Sequence, residues 1–221
     1  GCDASQTVSV TIYPEPVVTL SDPANVCVDG TDMSFTASPV GGVFTTNAPA
    51  GFTSNGAAGT ASLDVSAAGA GTYTVTYTYT DANGCDASQT VSVTIYPEPI
   101  VTLSDPANVC VDGTDMSFTA SPVGGVFTTN APAGFTSNGA AGTASLDVSA
   151  AGAGTYTVTY TYTDANGCDA SQTVSVTIYP EPVVTLSDPA NVCVDGTDMS
   201  FTASPVGGVF TTNAPAGFTS N

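Results

Sequence analysis

The chain has 221 residues, 19 of them acidic, and no lysine, arginine or histidine, for a formal net charge of −19. Without a cationic side chain it cannot neutralise a phosphate backbone or make a polybasic membrane contact, and it can form no side-chain salt bridge, imidazole metal site or lysine cross-link. A hydrophobic content of 42% is ample for a core, yet no stretch approaches the ~20 apolar residues of a membrane-spanning helix, so no membrane insertion is expected in this window.

From its first residue the chain reads GCDASQTVSVTIYPEP, and the same run returns at Gly84 and Gly167. Everything between follows an 83-residue period with one substitution, Ile100 standing where Val17 and Val183 stand in the other copies. A period this long fits a tandem array of small domains better than a solenoid unit. Tyr-Pro-Glu-Pro, at Tyr13–Pro16, Tyr96–Pro99 and Tyr179–Pro182, reads as the linker, because two prolines stiffen the backbone and withdraw two sheet donors. Complete modules are therefore expected at 17–99 and 100–182, with 1–16 as the last strand and linker of a preceding copy and 183–221 as the first half of a further one. The two partial copies together still lack the counterpart of 56–83, so the chain reads as a stretch of a longer polymer.

Within the module the elements run as follows. Val17–Leu20 is a short β-prone run; Met33, Phe35 and Ala37 alternate with polar residues; Ser38-Pro-Val-Gly-Gly42 is a turn; Val43–Thr46 is again β-prone. Asn55-Gly56 marks a second turn, after which Ala61, Leu63 and Val65 alternate up to the glycine-rich Ala68–Gly71. Thr72–Thr80 alternates most clearly, with Tyr73, Val75, Tyr77 and Tyr79 on one face and threonines on the other. Asn83-Gly84 predicts a tight primed hairpin into the last strand, where Val91, Val93 and Ile95 alternate. Helical spacing is absent over any useful length. Six or seven short strands with regular turns predict an all-β fold, an antiparallel immunoglobulin-like β-sandwich in each module.

Gly71-Thr-Tyr73-Thr-Val75 resembles the tyrosine corner of immunoglobulin-like domains, with Val75 in the place of the usual strand-F cysteine, so the disulfide between strands B and F is absent. Together with Val26-Cys-Val-Asp-Gly30, and with Thr80-Asp-Ala-Asn-Gly-Cys85 ahead of a final Val-x-Val-x-Ile strand, the module resembles the immunoglobulin-like or PKD-like repeats of giant secreted surface proteins, adhesins or filaments, of Bacteroidota-type bacteria. The resemblance covers the entire module and implies mostly spacer roles.

The two cysteines per module, Cys2, Cys27, Cys85, Cys110, Cys168 and Cys193 in all, lack zinc-site spacing and read as disulfides of an oxidising, extracellular or cell-surface compartment. In an immunoglobulin-like sandwich the loop after strand A and the hairpin between strands F and G lie at opposite poles. That topology favours Cys27–Cys168 across the module junction, with Cys27–Cys85 inside one module as the alternative should strand A deviate. Asp81, Asn83 and Asp86 have a spacing reminiscent of a calcium loop, and Asp29 with Asp32 could add a carboxylate pair. The full calcium-loop pattern is missing, so these are expected first as turns and only secondarily as weak structural calcium ligands. The threonine row of Thr72–Thr80 resembles the arrays of ice-binding proteins, although threonine also simply suits the solvent face of a strand.

Carboxylates are the only acid–base groups available, and none lies in a hydrolase-like motif, so no enzyme activity and no cofactor are expected. The expected function is a structural extracellular fibre or stalk that spaces or presents an adhesive tip. Its expected partners are the neighbouring modules of the same polymer, with lateral association of identical chains as a second expected contact. The rival functions are a repetitive adhesin whose modules bind carbohydrate, mineral or ice directly, and an accessory region of a hydrolase.

Overall fold

The structure, a computed structural model, describes residues 1–214 and 216–220. The chain divides into two compact units, one of Gly1–Thr102 with Ala120–Val126 and Tyr160–Gln172, the other of Leu103–Thr119 with Phe127–Thr159 and Thr173–Asn221.

Eight strands lie between Thr19 and Tyr96: β1 (Thr19–Leu20), β2 (Val26–Cys27), β3 (Met33–Ser38), β4 (Val43–Thr46), β5 (Phe52–Asn55), β6 (Thr60–Leu63), β7 (Gly71–Thr80) and β8 (Asp86–Tyr96). They form two four-stranded sheets, ordered β1-β3-β6-β5 and β2-β8-β7-β4. Matched to immunoglobulin strands, these are A-B-E-D and A′-G-F-C, the arrangement expected of an immunoglobulin-like sandwich. The first strand is split between the sheets. Thr19 and Leu20 pair antiparallel with Ser38 and Ala37 of β3, whereas Val26 and Cys27 run parallel to Ile95 and Tyr96 of β8.

The period-two pattern explains the core. Met33, Phe35 and Ala37 of β3, Ala61 and Leu63 of β6, Tyr73, Val75 and Tyr77 of β7, and Val91, Val93 and Ile95 of β8 pack into one buried cluster. Each such aliphatic or aromatic side chain contributes roughly 1.5–3 kcal/mol on burial. Tyr77 carries a polar tip into that core, and its hydroxyl donates to the Pro39 carbonyl at 2.6 Å and accepts from the Gly42 N–H at 2.7 Å. The phenol thereby fixes the Ser38–Gly42 turn. A methyl group at Gly42 would collide with this ring and with the Thr78 carbonyl, so the turn admits only glycine there.

The tyrosine corner is also present. Tyr73 donates its hydroxyl to the carbonyls of Ala68 at 2.8 Å and Gly69 at 3.1 Å, tying β7 back to the segment that enters it.

Some expectations need correction. Val65 does not continue β6; it opens a one-turn helix, α1 (Val65–Ala68). The cause is Asp64, whose carboxylate accepts from the Ala67 N–H at 2.9 Å and the Ser66 hydroxyl at 2.8 Å, a cap that offers the backbone a better partner than a further strand would. Val65 nevertheless remains buried, so its hydrophobic signal is satisfied in a different conformation. The β2 and β5 strands have no alternation strong enough to announce them. The Asn83-Gly84 hairpin is not a two-residue primed turn. Only Gly84 has a positive φ, +83°, and Asp81 and Cys85 close the loop through an Asp81 N–H to Cys85 carbonyl bond of 2.8 Å, which makes it a three-residue loop ending in a left-handed glycine.

The same elements recur as β9 (Thr102–Leu103), β10 (Val109–Cys110), β11 (Met116–Ser121), β12 (Val126–Thr129), β13 (Phe135–Asn138), β14 (Thr143–Leu146), α2 (Val148–Ala151), β15 (Gly154–Thr163) and β16 (Asp169–Tyr179). Their sheets are ordered β13-β14-β11-β9 and β10-β16-β15-β12. Register repeats as well: Met116 pairs with Leu146 as Met33 pairs with Leu63. Further along, β17 (Thr185–Leu186) pairs with β18 (Ala203–Ser204) in the register of β1 with β3. Residues 1–16, expected as a last strand, carry no strand.

Candidate functional site

The Asp81–Cys85 hairpin turn is organised by one carboxylate. Asp81 Oδ1 accepts from the N–H groups of Asn83 at 2.8 Å and Cys85 at 2.9 Å, and Oδ2 accepts from the Asn83 amide at 3.3 Å. These bonds, that from Cys85 foremost, hold the Asp81 carboxyl below its usual value of 3.8, because they favour the ionised form. Asp164 repeats the arrangement with Asn166 and Cys168. Asp86 is the first residue of β8 and exposed, and Asp29 is exposed in the turn after β2. Asp32 lies away from that turn's hydrogen bonds, its Oδ1 accepting from the Val65 N–H at 3.3 Å at the start of α1. Among the described residues, no group of three or more carboxylates and cysteines could hold a metal ion. The acidic side chains singled out from the sequence thus include two, Asp81 and Asp32, that are engaged with the chain's own backbone.

The cysteines behave differently. Cys27 ends β2, where its carbonyl accepts from the Gly30 N–H at 2.9 Å and the next residue, Val28, donates to Tyr96 at 2.9 Å. It is bonded to Cys168, with 5.6 Å between the Cα atoms, inside the range that a disulfide bridges. The alternative bond, Cys27–Cys85, is not formed and Cys85 is a free thiol. Cys27 lies beside Tyr96, the last residue of β8, and Cys85 immediately precedes Asp86, its first. At about 3.3 Å per residue the length of β8 puts roughly 33 Å between those two ends. Desolvation raises the pKa of the Cys85 thiol, and the charges of Asp81, Asp86 and Glu15 raise it further.

The outer face of the β8-β7-β4 sheet is a field of hydroxyls. Thr72 and Thr94 approach to 3.2 Å across the strands, Thr76 and Thr90 to 2.7 Å, and Thr74 and Thr78 lie opposite Ser92 and Ser88. The Thr46 hydroxyl adds a bond to the Thr74 carbonyl at 2.8 Å. The aromatic face of the same strand is core: Tyr73 and Tyr77 are buried, and the Phe44 and Tyr77 rings lie 4.5 Å apart.

Two residues that sequence reasoning passed over hold the sheet edges. Asn47 Oδ1 accepts from the Thr74 N–H at 2.8 Å, and Asn25 Oδ1 accepts from the Thr94 N–H at 2.7 Å. Each replaces a missing strand partner. An asparagine in a loop carries no signal of that role beyond its capacity to mimic a peptide group.

No family model matches the chain. No curated protein matches it either. Among solved structures it is similar to Drosophila N-cadherin EC1-4, at 15% identity over 76% of this chain and 50% of that one, with a TM-score of 0.39. It is similar also to a Ca2+-stabilized adhesin that helps an Antarctic bacterium reach out and bind ice, at 19% identity over 80% of this chain and 52% of that one, TM-score 0.39. A further likeness is to the insect immune protein hemolin, at 14% identity over 76% of this chain and 46% of that one, TM-score 0.37. The chain spans about half the length of these structures. Its assignment as an immunoglobulin-like sandwich rests on its own strand order and core.

Proposed function

We propose that the chain is a stretch of an extracellular structural fibre or stalk, built of tandem immunoglobulin-like modules at 17–99 and 100–182, that spaces or presents an adhesive tip. The observation that carries this reading is the Cys27–Cys168 bond, which ties one copy of the repeat covalently to the next. The near-identity of the copies supports it, since identical modules give a constant rise and stiffness. A disulfide also fits an oxidising compartment outside the cytosol. The chain is read as non-enzymatic, with neighbouring modules and laterally associated identical chains as its partners, and with structural calcium confined to a minor role at the turns.

The hydroxyl field on the β8-β7-β4 sheet favours a second reading, in which each module binds carbohydrate, mineral or ice directly. Electron microscopy of the chain, together with glycan-array and ice-affinity assays, separates the two. The fibre reading expects elongated particles of regular width that bind neither glycans nor ice. Compact particles would overturn it, and binding that is lost on Thr76→Ala and Thr90→Ala would transfer the function to the sheet face.

A further inference from the structure

The pair Asn-Gly occurs four times, at Asn55, Asn83, Asn138 and Asn166. Here the backbone nitrogen of the glycine can attack the side-chain carbonyl carbon of the asparagine with least hindrance, because glycine carries no Cβ. The fold holds the four pairs in two ways. Asn55 and Asn138 end β5 and β13, paired with Thr60 and Thr143 across the ladder, and their Oδ1 atoms accept from the N–H groups of Ala58 and Ala141 at 3.2 Å. The backbone of Asn138 is held at ψ +88°, and ring closure needs that angle swung round. After Asn55 there is no room for such a swing: the Gly56 carbonyl accepts from the Gly41 N–H at 2.7 Å, and a Cβ on Gly56 would collide with the Gly42 carbonyl. Asn83 and Asn166 lie outside the ladders, in the turns between Thr80 and Asp86 and between Thr163 and Asp169. Both are exposed, and a Cβ on Gly84 or Gly167 would meet nothing within 4 Å. Ring closure at Asn83 gives up the 3.1 Å bond from the Gly84 N–H to the Asp81 carbonyl and the 3.3 Å bond from the Asn83 amide to the Asp81 carboxylate, and leaves the strands intact.

We propose that Asn83 and Asn166 are self-modifying sites, converted without an enzyme to aspartyl and isoaspartyl residues, whereas the same pair at Asn55 and Asn138 is protected by its strands. The Gly84 nitrogen loses its proton to solvent base and bonds to the Asn83 side-chain carbonyl carbon; the bond from that carbon to the amide nitrogen breaks, and ammonia leaves with the proton. Water then adds to either carbonyl of the cyclic imide, and the ring opens with a proton returned to the Gly84 nitrogen. One water is consumed, one ammonia is released and nothing is oxidised or reduced. At Asn166 the product sets a carboxylate where the amide donated to Asp164, and the isoaspartyl form lengthens the main chain of the turn by one carbon. Asp164 also accepts from the Cys168 N–H at 2.9 Å, so the turn that carries the bonded cysteine loosens as the protein ages.

The oxidised full chain tests this when held in mildly alkaline heavy-oxygen water, either folded or unfolded in urea. Samples are reduced with a phosphine and digested with pepsin in acid, where ring closure stalls. Asn83 and Asn166 share one peptide sequence and Asn55 and Asn138 another, so mass spectrometry reads the two classes separately. In the folded chain the turn peptide is expected to take up the label on the order of tenfold faster than the strand peptide, because the strand asparagines react only after their ladder opens locally. In urea the two rates should converge. Equal rates in the folded chain, faster uptake in the strand peptide, uptake confined to the urea samples, or the same tenfold ratio persisting in urea would overturn the proposal.

Discussion

Residues 84–99 and residues 1–16 have the same sequence and different fates. In the first segment Val91, Val93 and Ile95 are core residues of β8; in the second, Val8, Val10 and Ile12 face solvent and form no strand. At matching positions Val93 is 0% exposed and Val10 82% exposed. Met33 and Phe35 differ from Met199 and Phe201 in the same way, buried in one copy and exposed in the other. Local propensity is identical within each pair, so what makes β8 a strand is the ten-residue ladder with β7 and the opposing sheet.

The largest expected effect breaks this comparison directly. Val93→Asp would bury an unpaired carboxylate and is expected to cost more than ~4 kcal/mol in a urea melt, whereas Val10→Asp at the matching position should stay within about ±0.5 kcal/mol. Equal losses would mean that the first segment is packed too. Tyr77→Phe comes next: it strands the Pro39 carbonyl and the Gly42 N–H and is expected to lose about 1–3 kcal/mol in the same melt, while Tyr79→Phe, near the rim, should be close to neutral.

A smaller effect belongs to the hairpin turns. The folded-state carboxyls of Asp81 and Asp164 lie below the ordinary value of 3.8. Their stabilisation is therefore fully present above the unfolded value and is lost as pH falls through the folded one. Melting temperature should drop on acidification below about pH 4, and Asp81→Asn with Asp164→Asn should flatten that drop; an unchanged acid profile would show that the turns do not set it. The smallest expected effect concerns calcium. Chelation should shift the melting temperature only slightly, and Asp86→Ala should remove what shift there is. A shift of many degrees would make the cation a structural component.

The long strands were legible because one physical fact governs them: side chains alternate along a strand, so β3, β7 and β8 display their buried faces as every second residue. Tyr73 was legible for a related reason, since its place after a glycine turn and before Val75 suits a hydroxyl reaching back to the chain. Val65 was misread because burial and conformation are separate matters. Its side chain enters the core from a capped helical turn, and Asp64 chose that turn. The hairpin was misread because Asn-Gly drew attention to Gly84 and away from Asp81, whose carboxylate sets the loop length. At the cysteines, the sequence left Cys27 with two partners. The length of β8, which no single residue encodes, rules out the one in its own module.

Single-molecule stretching of the chain from its two ends tests the account most directly, because it loads the sandwiches and the Cys27–Cys168 bond together. In the reduced chain the account predicts two unfolding events of equal length, one for each complete repeat. In the oxidised chain the segment closed by the bond, a sequence separation of 141 between its cysteines, cannot extend; at ~3.5 Å per residue this removes roughly 490 Å of contour length. The same total extension with and without reductant, or a single unfolding event in the reduced chain, would contradict it.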